Sequence, residues 1–271
     1  MASPSIYRNG LNLAGTVFQN GPASLQLDGS TYFSGAIQWL DTISGNNANA
    51  GTLPELPVAT LAQAVTNSAA NGIIVIGEGS SESLGSSQSL ALANLSIFGC
   101  GSGSSRPRYT CTGTVDMWAV SAAGVWIEGF YFPASTAVAT DRIGLAAANA
   151  TIKDCYFECG ASDTNRALRI HTGANSARVE SCSFVTTASR PAMGLEISAA
   201  VTDPVVVGCT FDGGSYGWSD YAFKVSAAAT RVRQFGNTFT NRADLGHTVT
   251  ATSYQLFGVE ASGTSNVLLT A

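Results

Sequence analysis

Apolar side chains in the second half of the chain return at a long, fixed interval, not at the spacing of a helix face. Cys155-Tyr156-Phe157 is followed by Cys182-Ser183-Phe184, Cys209-Thr210-Phe211 and Asn237-Thr238-Phe239, so the cysteines recur after 27 and 27 residues and the phenylalanines after 27, 27 and 28. A fixed period of this size marks one structural unit stacked on copies of itself. Five residues before Phe132, Phe157, Phe184, Phe211 and Phe239 stand Ile127, Ile152, Val179, Val206 and Gln234. Side chains of a strand alternate with period two, so positions five apart point to opposite faces unless the chain bends between them. Gly129, Asp154, Ser181, Gly208 and Gly236, three residues before each Phe, are the small or turn-forming types that suit such a corner. A third strand lies upstream in each unit, as Leu168-Arg169-Ile170, Leu195-Glu196-Ile197 and Phe223-Lys224-Val225.

Three short strands per unit with no helix between them predict an all-β, single-stranded parallel β-helix, each strand bonding its equivalent in the next turn about 4.8 Å away. About seven turns of roughly 27 residues from Ile73 onward make a rod on the order of 35 Å long. An antiparallel sandwich does not explain the same residue types returning at this period. Cys155, Cys182, Cys209, Phe157, Phe184, Phe211 and Phe239 are therefore expected as an inward core ladder.

Upstream, residues 1–43 show no period and read as an arm of irregular strands, a possible attachment or inter-subunit segment; residues 44–271 are assigned to the coil and its irregular C-terminal end. Thr60-Leu61-Ala62-Gln63 has the form of a capping box and predicts a short helix near residues 60–71, closed by Asn71-Gly72. Ile73-Ile74-Val75-Ile76 then reads as the first buried strand of the coil.

Composition narrows the partners. Charged residues are only 11% of the chain and the formal net charge is -5, which leaves no basic footprint for nucleic acid. No apolar run reaches membrane-span length, and the N-terminus lacks the pattern of a secretory leader. The six cysteines are expected as reduced core residues, because three hold equivalent places in successive units. No metal site is expected: Cys155 and Cys159 lack a second pair nearby, and neither His171 nor His247 falls at ligand spacing. No cofactor motif is present either; Gly99-Cys100-Gly101-Ser102-Gly103 has no helix behind it to receive a phosphate.

With the repeat and its preamble in place, the chain resembles the pectin-lyase-like superfamily of right-handed parallel β-helices across roughly residues 41–240. The resemblance includes Gly45-Asn46-Asn47-Ala48-Asn49-Ala50-Gly51-Thr52, Pro57 and Thr60-Leu61-Ala62-Gln63-Ala64. Together with Leu95-Ser96-Ile97-Phe98-Gly99-Cys100-Gly101 and Ser105-Arg106-Pro107-Arg108, that entry looks like β-helix virion proteins of tailed bacteriophages. The resemblance implies a non-enzymatic virion structural protein, a homotrimeric capsid decoration or short spike made in the host cytoplasm, with capsid or other virion proteins as partners. The alternative is a tailspike-type protein that binds or degrades a host surface polysaccharide.

Polysaccharide lyases of this superfamily hold calcium with stacked carboxylates. Here the outward columns Glu128, Lys153, Glu180 and Arg169, Glu196, Lys224 alternate in sign, which reads as a register-setting ladder. For cleavage by hydrolysis, the pair to consider is Asp212 with Asp220, on either side of an aromatic loop. Tyr216, Trp218 and Tyr221 of that loop are the candidate contacts to a glycan or a partner, against the alternative that they pack on the body or on a neighbouring subunit.

Overall fold

The computed structural model describes residues 24–27, 31–113, 116–134, 141–160, 166–187, 191, 193–198, 200–226, 229–241, 245–247, 254–257 and 260–261, with side chains described from residue 35 to 241. Three sheets of nine, eight and seven strands run the length of a coil. Within each, successive neighbours are parallel and come from successive turns, as in Thr151↔Arg178↔Val205 of the first sheet, Phe157↔Phe184↔Phe211 of the second and Leu168↔Leu195↔Phe223 of the third. This is the predicted all-β, right-handed parallel solenoid, with a single short α-helix among the described residues.

The register makes the period explicit. Trp126↔Thr151, Thr151↔Arg178, Arg178↔Val205 and Val205↔Arg233 are 25, 27, 27 and 28 residues apart. Nearer the N-terminus, Ile73↔Ser96 and Ser96↔Trp126 are 23 and 30 apart. Four steps thus keep a period close to 27, fewer regular turns than the seven expected, because the other turns shorten or lengthen their loops while preserving strand pairing. The 30-residue turn gains its length between the first and second sheets, where residues 100–107 form a loop with a short 3-10 segment, Gly103–Ser105.

The corner between first and second sheets has the conformation that the phase argument demands. Asp154 and Ser181 adopt φ of 48° and 52°, and Gly129, Gly208 and Gly236 occupy the same left-handed region in the equivalent places. One left-handed residue reverses the facing of the next strand, so Ile152 and Phe157, or Val179 and Phe184, all point inward and are fully buried. The inward rings stack turn on turn: Phe157–Phe184, Phe184–Phe211 and Phe211–Phe239 each have centroids 4.9 Å apart with nearly parallel planes. That spacing matches the strand repeat, so the ladder is imposed by backbone pairing.

All six cysteines are free and buried. Cys182 Sγ lies 3.7 Å from the Ile152 carbonyl and Cys209 Sγ 3.6 Å from that of Val179. Asn237 continues the column with a stronger donor, Nδ2 to the Val206 carbonyl at 3.0 Å, and its Oδ1 accepts from Cys209 N–H at 2.9 Å.

Two boundaries differ from expectation. The helix runs only from Leu61 to Asn67, because Ser68 turns its N–H onto the Val65 carbonyl and its hydroxyl onto that of Ala64. Thr60 Oγ1 accepts from Gln63 N–H as predicted, but the Gln63 amide reaches Asn67 and so completes only half of a capping box. The coil also begins before residue 44: Ile37–Leu40 pairs in parallel with Ile73–Ile76 as the edge strand of the first sheet. Ahead of it, Ser24–Leu27 pairs antiparallel with Thr31–Ser34; residues 1–23 lie outside the described part.

Candidate functional site

Outward side chains of the second sheet form one column through Arg108, Tyr131, Tyr156, Ser183 and Thr210, which pair successively in register. The long turn at residues 100–107 rises beside this column and, with the corner residues Asp154 and Ser181, walls a groove of about 390 Å³. Its floor is aromatic: the Tyr131 and Tyr156 rings lie 5.5 Å apart and tilted, and the Arg108 guanidinium sits 4.8 Å above the Tyr131 ring. Arg106 closes the wall by gripping both carboxylate oxygens of Asp154, at 2.7 and 2.8 Å. Its Nε–H, buried, has no acceptor among the described residues.

Glu158 lines the same groove, beside the Tyr131 hydroxyl. Burial first, and then this carboxylate, hold the Tyr131 hydroxyl protonated well above the ordinary tyrosine range. Tyr156 is shifted the same way, by burial first and then by Glu158 and Asp212. The groove therefore offers two neutral phenols, an aromatic floor, a carboxylate and two guanidinium groups, edged by the serines Ser104, Ser181 and Ser183.

The structure separates the two aspartates singled out from the sequence. Asp212 belongs to the outward face of the second sheet, in register with Val185 and, one turn further, Glu158. Its Oδ1 accepts from Gly214 N–H and Asn241 Nδ2, each at 2.9 Å. Asp220 instead precedes the strand Tyr221–Val225 of the third sheet and pairs with Lys224 at 3.4 Å. The aromatic loop divides as well. Trp218 turns into the core, 6% exposed, and covers Gly194, where any Cβ would meet its ring at 3.1 Å; that ring is not available to a glycan. Tyr216 is 47% exposed, and Tyr221 packs beside the Lys224 ammonium, 5.9 Å from its ring centre.

The charged columns form the expected cross-turn pairs in part: Lys153 meets Glu128 at 3.4 Å and Arg169 meets Glu196 at 3.2 Å. Arg166 also pairs with Glu196, whereas Glu180 turns to Arg178 in its own strand. The sequence reading did not find a further cluster on the third sheet, where Asp116, Asp141 and His171 each bring a donor atom within 4.8 Å of the others. They are 25 and 30 residues apart, and one-turn offsets of that kind are the signal that marks them as neighbours.

No family model matches the sequence, and no curated protein matches it. Among solved structures, a rhamnogalacturonan lyase superimposes with a TM-score of 0.54 at 12% identity, over 85% of this chain and 74% of that one. The likeness is one of fold: the chain is a parallel β-helix that superimposes on that lyase. Pectate lyase Pel9A matches with a TM-score of 0.40 at 14% identity, over 78% of this chain and 61% of that chain.

Proposed function

We propose that the protein binds a polysaccharide along the outer face of the second sheet, with the Tyr131–Tyr156 groove at the centre. The observation that carries this reading is the groove itself. Apolar C–H faces of a sugar ring fit against aromatic rings, while its hydroxyl groups need the mixture of donors and acceptors that Arg106, Arg108, Glu158 and the serines supply. A rhamnogalacturonan lyase shares the fold, and fold alone does not assign a substrate. Glycan-array screening followed by calorimetry on the best oligosaccharide tests the reading. Tyr156→Ala removes a contact whose loss costs about 1.5–3 kcal/mol, or roughly 10- to 100-fold in affinity. Absence of any glycan binding, or undiminished binding by Tyr156→Ala, overturns it.

Cleavage of the bound chain is a second reading, favoured by one observation. Glu158 and Asp212 share an outward column with only Val185 between them, so two strand spacings, about 9.5 Å, separate their backbones. That is the upper end of the carboxyl separation of inverting glycoside hydrolases. New reducing ends from the wild type and none from Glu158→Gln establish it.

For assembly we propose the homotrimeric virion component set out from the sequence. Its support is the apolar surface of the entry segment, where Ile43, Leu53 and Leu56 are all more than half exposed. Light scattering on the full chain, reading three copies or one, tests the trimer.

A further inference from the structure

On the outer face of the third sheet, three consecutive turns each present one ligand-type side chain around Gly144. We propose that Asp116, Asp141 and His171 bind a divalent transition cation of the zinc class through Asp116 Oδ2, Asp141 Oδ2 and His171 Nε2. One donor atom from each residue lies within 4.8 Å of the other two, and Asp141 Oδ2 stands 3.1 Å from His171 Nε2. Two ligands each about 2.0–2.2 Å from a tetrahedral ion are separated by about 3.3–3.6 Å, so this edge needs to open by only a few tenths of an ångström.

Each residue is held so that one donor remains to face inward. Asp116 Oδ1 accepts the Asp141 backbone N–H at 3.1 Å, which leaves Oδ2. The Asp141 side chain is fully buried; its Oδ1 has the Arg166 guanidinium at 3.4 Å, while its Oδ2, with the His171 imidazole adjacent at 3.1 Å, makes no hydrogen bond of good geometry among the described residues. A buried carboxylate oxygen without a directed partner is costly, and a cation relieves that cost. The cradle exists because residue 144 has no side chain: a Cβ there would lie 3.1 Å from both Asp116 Oδ2 and His171 Nε2.

Among the described residues, the neighbouring guanidinium groups leave Asp141 Oδ2 to the cradle: Arg166 reaches only Oδ1 of that carboxylate. Arg166 and Arg169 converge on Glu196, and Arg169 Nε also donates to Ser198 Oγ at 2.9 Å.

The donor set selects the class of ion. Calcium takes six to eight oxygen ligands, and two carboxylates with an imidazole do not provide them. Two carboxylates and one imidazole suit zinc and its first-row neighbours, with a fourth position left for water on the solvent side. Because the ligands come from three successive turns, an ion here clips those turns together and stabilises only the folded coil.

The test uses the full chain, stripped with a chelator and titrated with Zn²⁺ against a chromophoric competitor. Mn²⁺ followed by electron paramagnetic resonance is the parallel probe, since it does not favour thiols. One Zn²⁺ per chain is expected, with Kd of about 1 μM or tighter. His171→Ala weakens it by more than about 100-fold. Gly144→Ala keeps every ligand and weakens it roughly 10- to 100-fold by filling the cradle. Residue 144 is not among the positive-φ glycines, so the backbone tolerates alanine, and circular dichroism checks that each variant folds. The proposal is overturned if the wild type binds no Zn²⁺ or Mn²⁺, if Ca²⁺ displaces Zn²⁺ at equal concentration, or if folded Gly144→Ala binds as the wild type does. Glycan binding at the second sheet stands or falls separately, since Tyr156 lies on the other sheet.

Discussion

Asn237 gives the sharpest test of how the column that starts with Cys155 is held together. Its side chain is fully buried, accepts from Cys209 N–H at 2.9 Å and donates to the Val206 carbonyl at 3.0 Å. Asn237→Ala leaves both backbone groups buried without those partners. Each buried, unmet polar group costs about 1–3 kcal/mol, so the variant is expected to lose about 3 kcal/mol. Asn237→Cys puts back the thiol of the preceding turns, which reaches a carbonyl at 3.6–3.7 Å, but leaves Cys209 N–H unmet; it should recover only part of the loss. Urea unfolding followed by tryptophan fluorescence reads the change. Because coils of stacked turns open from their ends, hydrogen exchange on peptides covering residues 201–241 should show lost protection before peptides covering 141–160 do. A midpoint shift worth less than about 0.5 kcal/mol for Asn237→Ala, at unchanged slope, would refute the view that this amide closes the column.

Phe184 stacks on a ring above and a ring below, so Phe184→Ala should cost about 4–5 kcal/mol, and about 1 kcal/mol more than Phe239→Ala, which has one stacked neighbour among the described residues; equal losses in urea unfolding would argue that burial alone decides. Glu82 accepts from Leu61 N–H at 3.0 Å, yet burial outweighs that bond and raises its pKa above the ordinary 4.5. Its contribution to stability is therefore fully present below about pH 4.5 and is lost as pH rises through the folded value. Glu82→Gln should accordingly gain Tm relative to the wild type between about pH 4 and about pH 8, and a constant difference across that range would contradict the assignment. Burial, with Glu78 second, pushes the Cys100 thiol up to about 12, and all six cysteines are buried. A disulfide-exchange reagent at about pH 8 should thus label none in the folded chain and all six in urea; fast labelling of the native protein would show that the column opens.

The coil was legible because its inward residues repeat a local code. Phe157, Phe184 and Phe211 gave the period, and the misfit of five residues back to Ile152, Val179 and Val206 required a corner at Asp154, Ser181 and Gly208, each of which has positive φ. What escaped the period did so for physical reasons. Parallel pairing constrains strands and tolerates loops of any length, so the insertion at residues 100–107 that walls the groove leaves Arg108 in register with Tyr131 while shifting every count made across it. Trp218 looked like a projecting ring because nothing local shows that Gly194, one turn earlier, offers a bare patch of backbone. Outward residues follow no code of their own, and there the search for motifs by short spacing fails most clearly. Tyr131 and Tyr156 become a floor, and Asp116, Asp141 and His171 a cluster, only when positions about one turn apart are read as adjacent. In a parallel coil a separation of 25–30 residues plays the part that three or four residues play on a helix. Chemistry in such a chain is therefore found by aligning the strands first and reading across the turns. Aligning Ile143–Leu145 with Leu168–Ile170 sets Gly144 beside Arg169, and with it the bare position that His171 and the two aspartates surround.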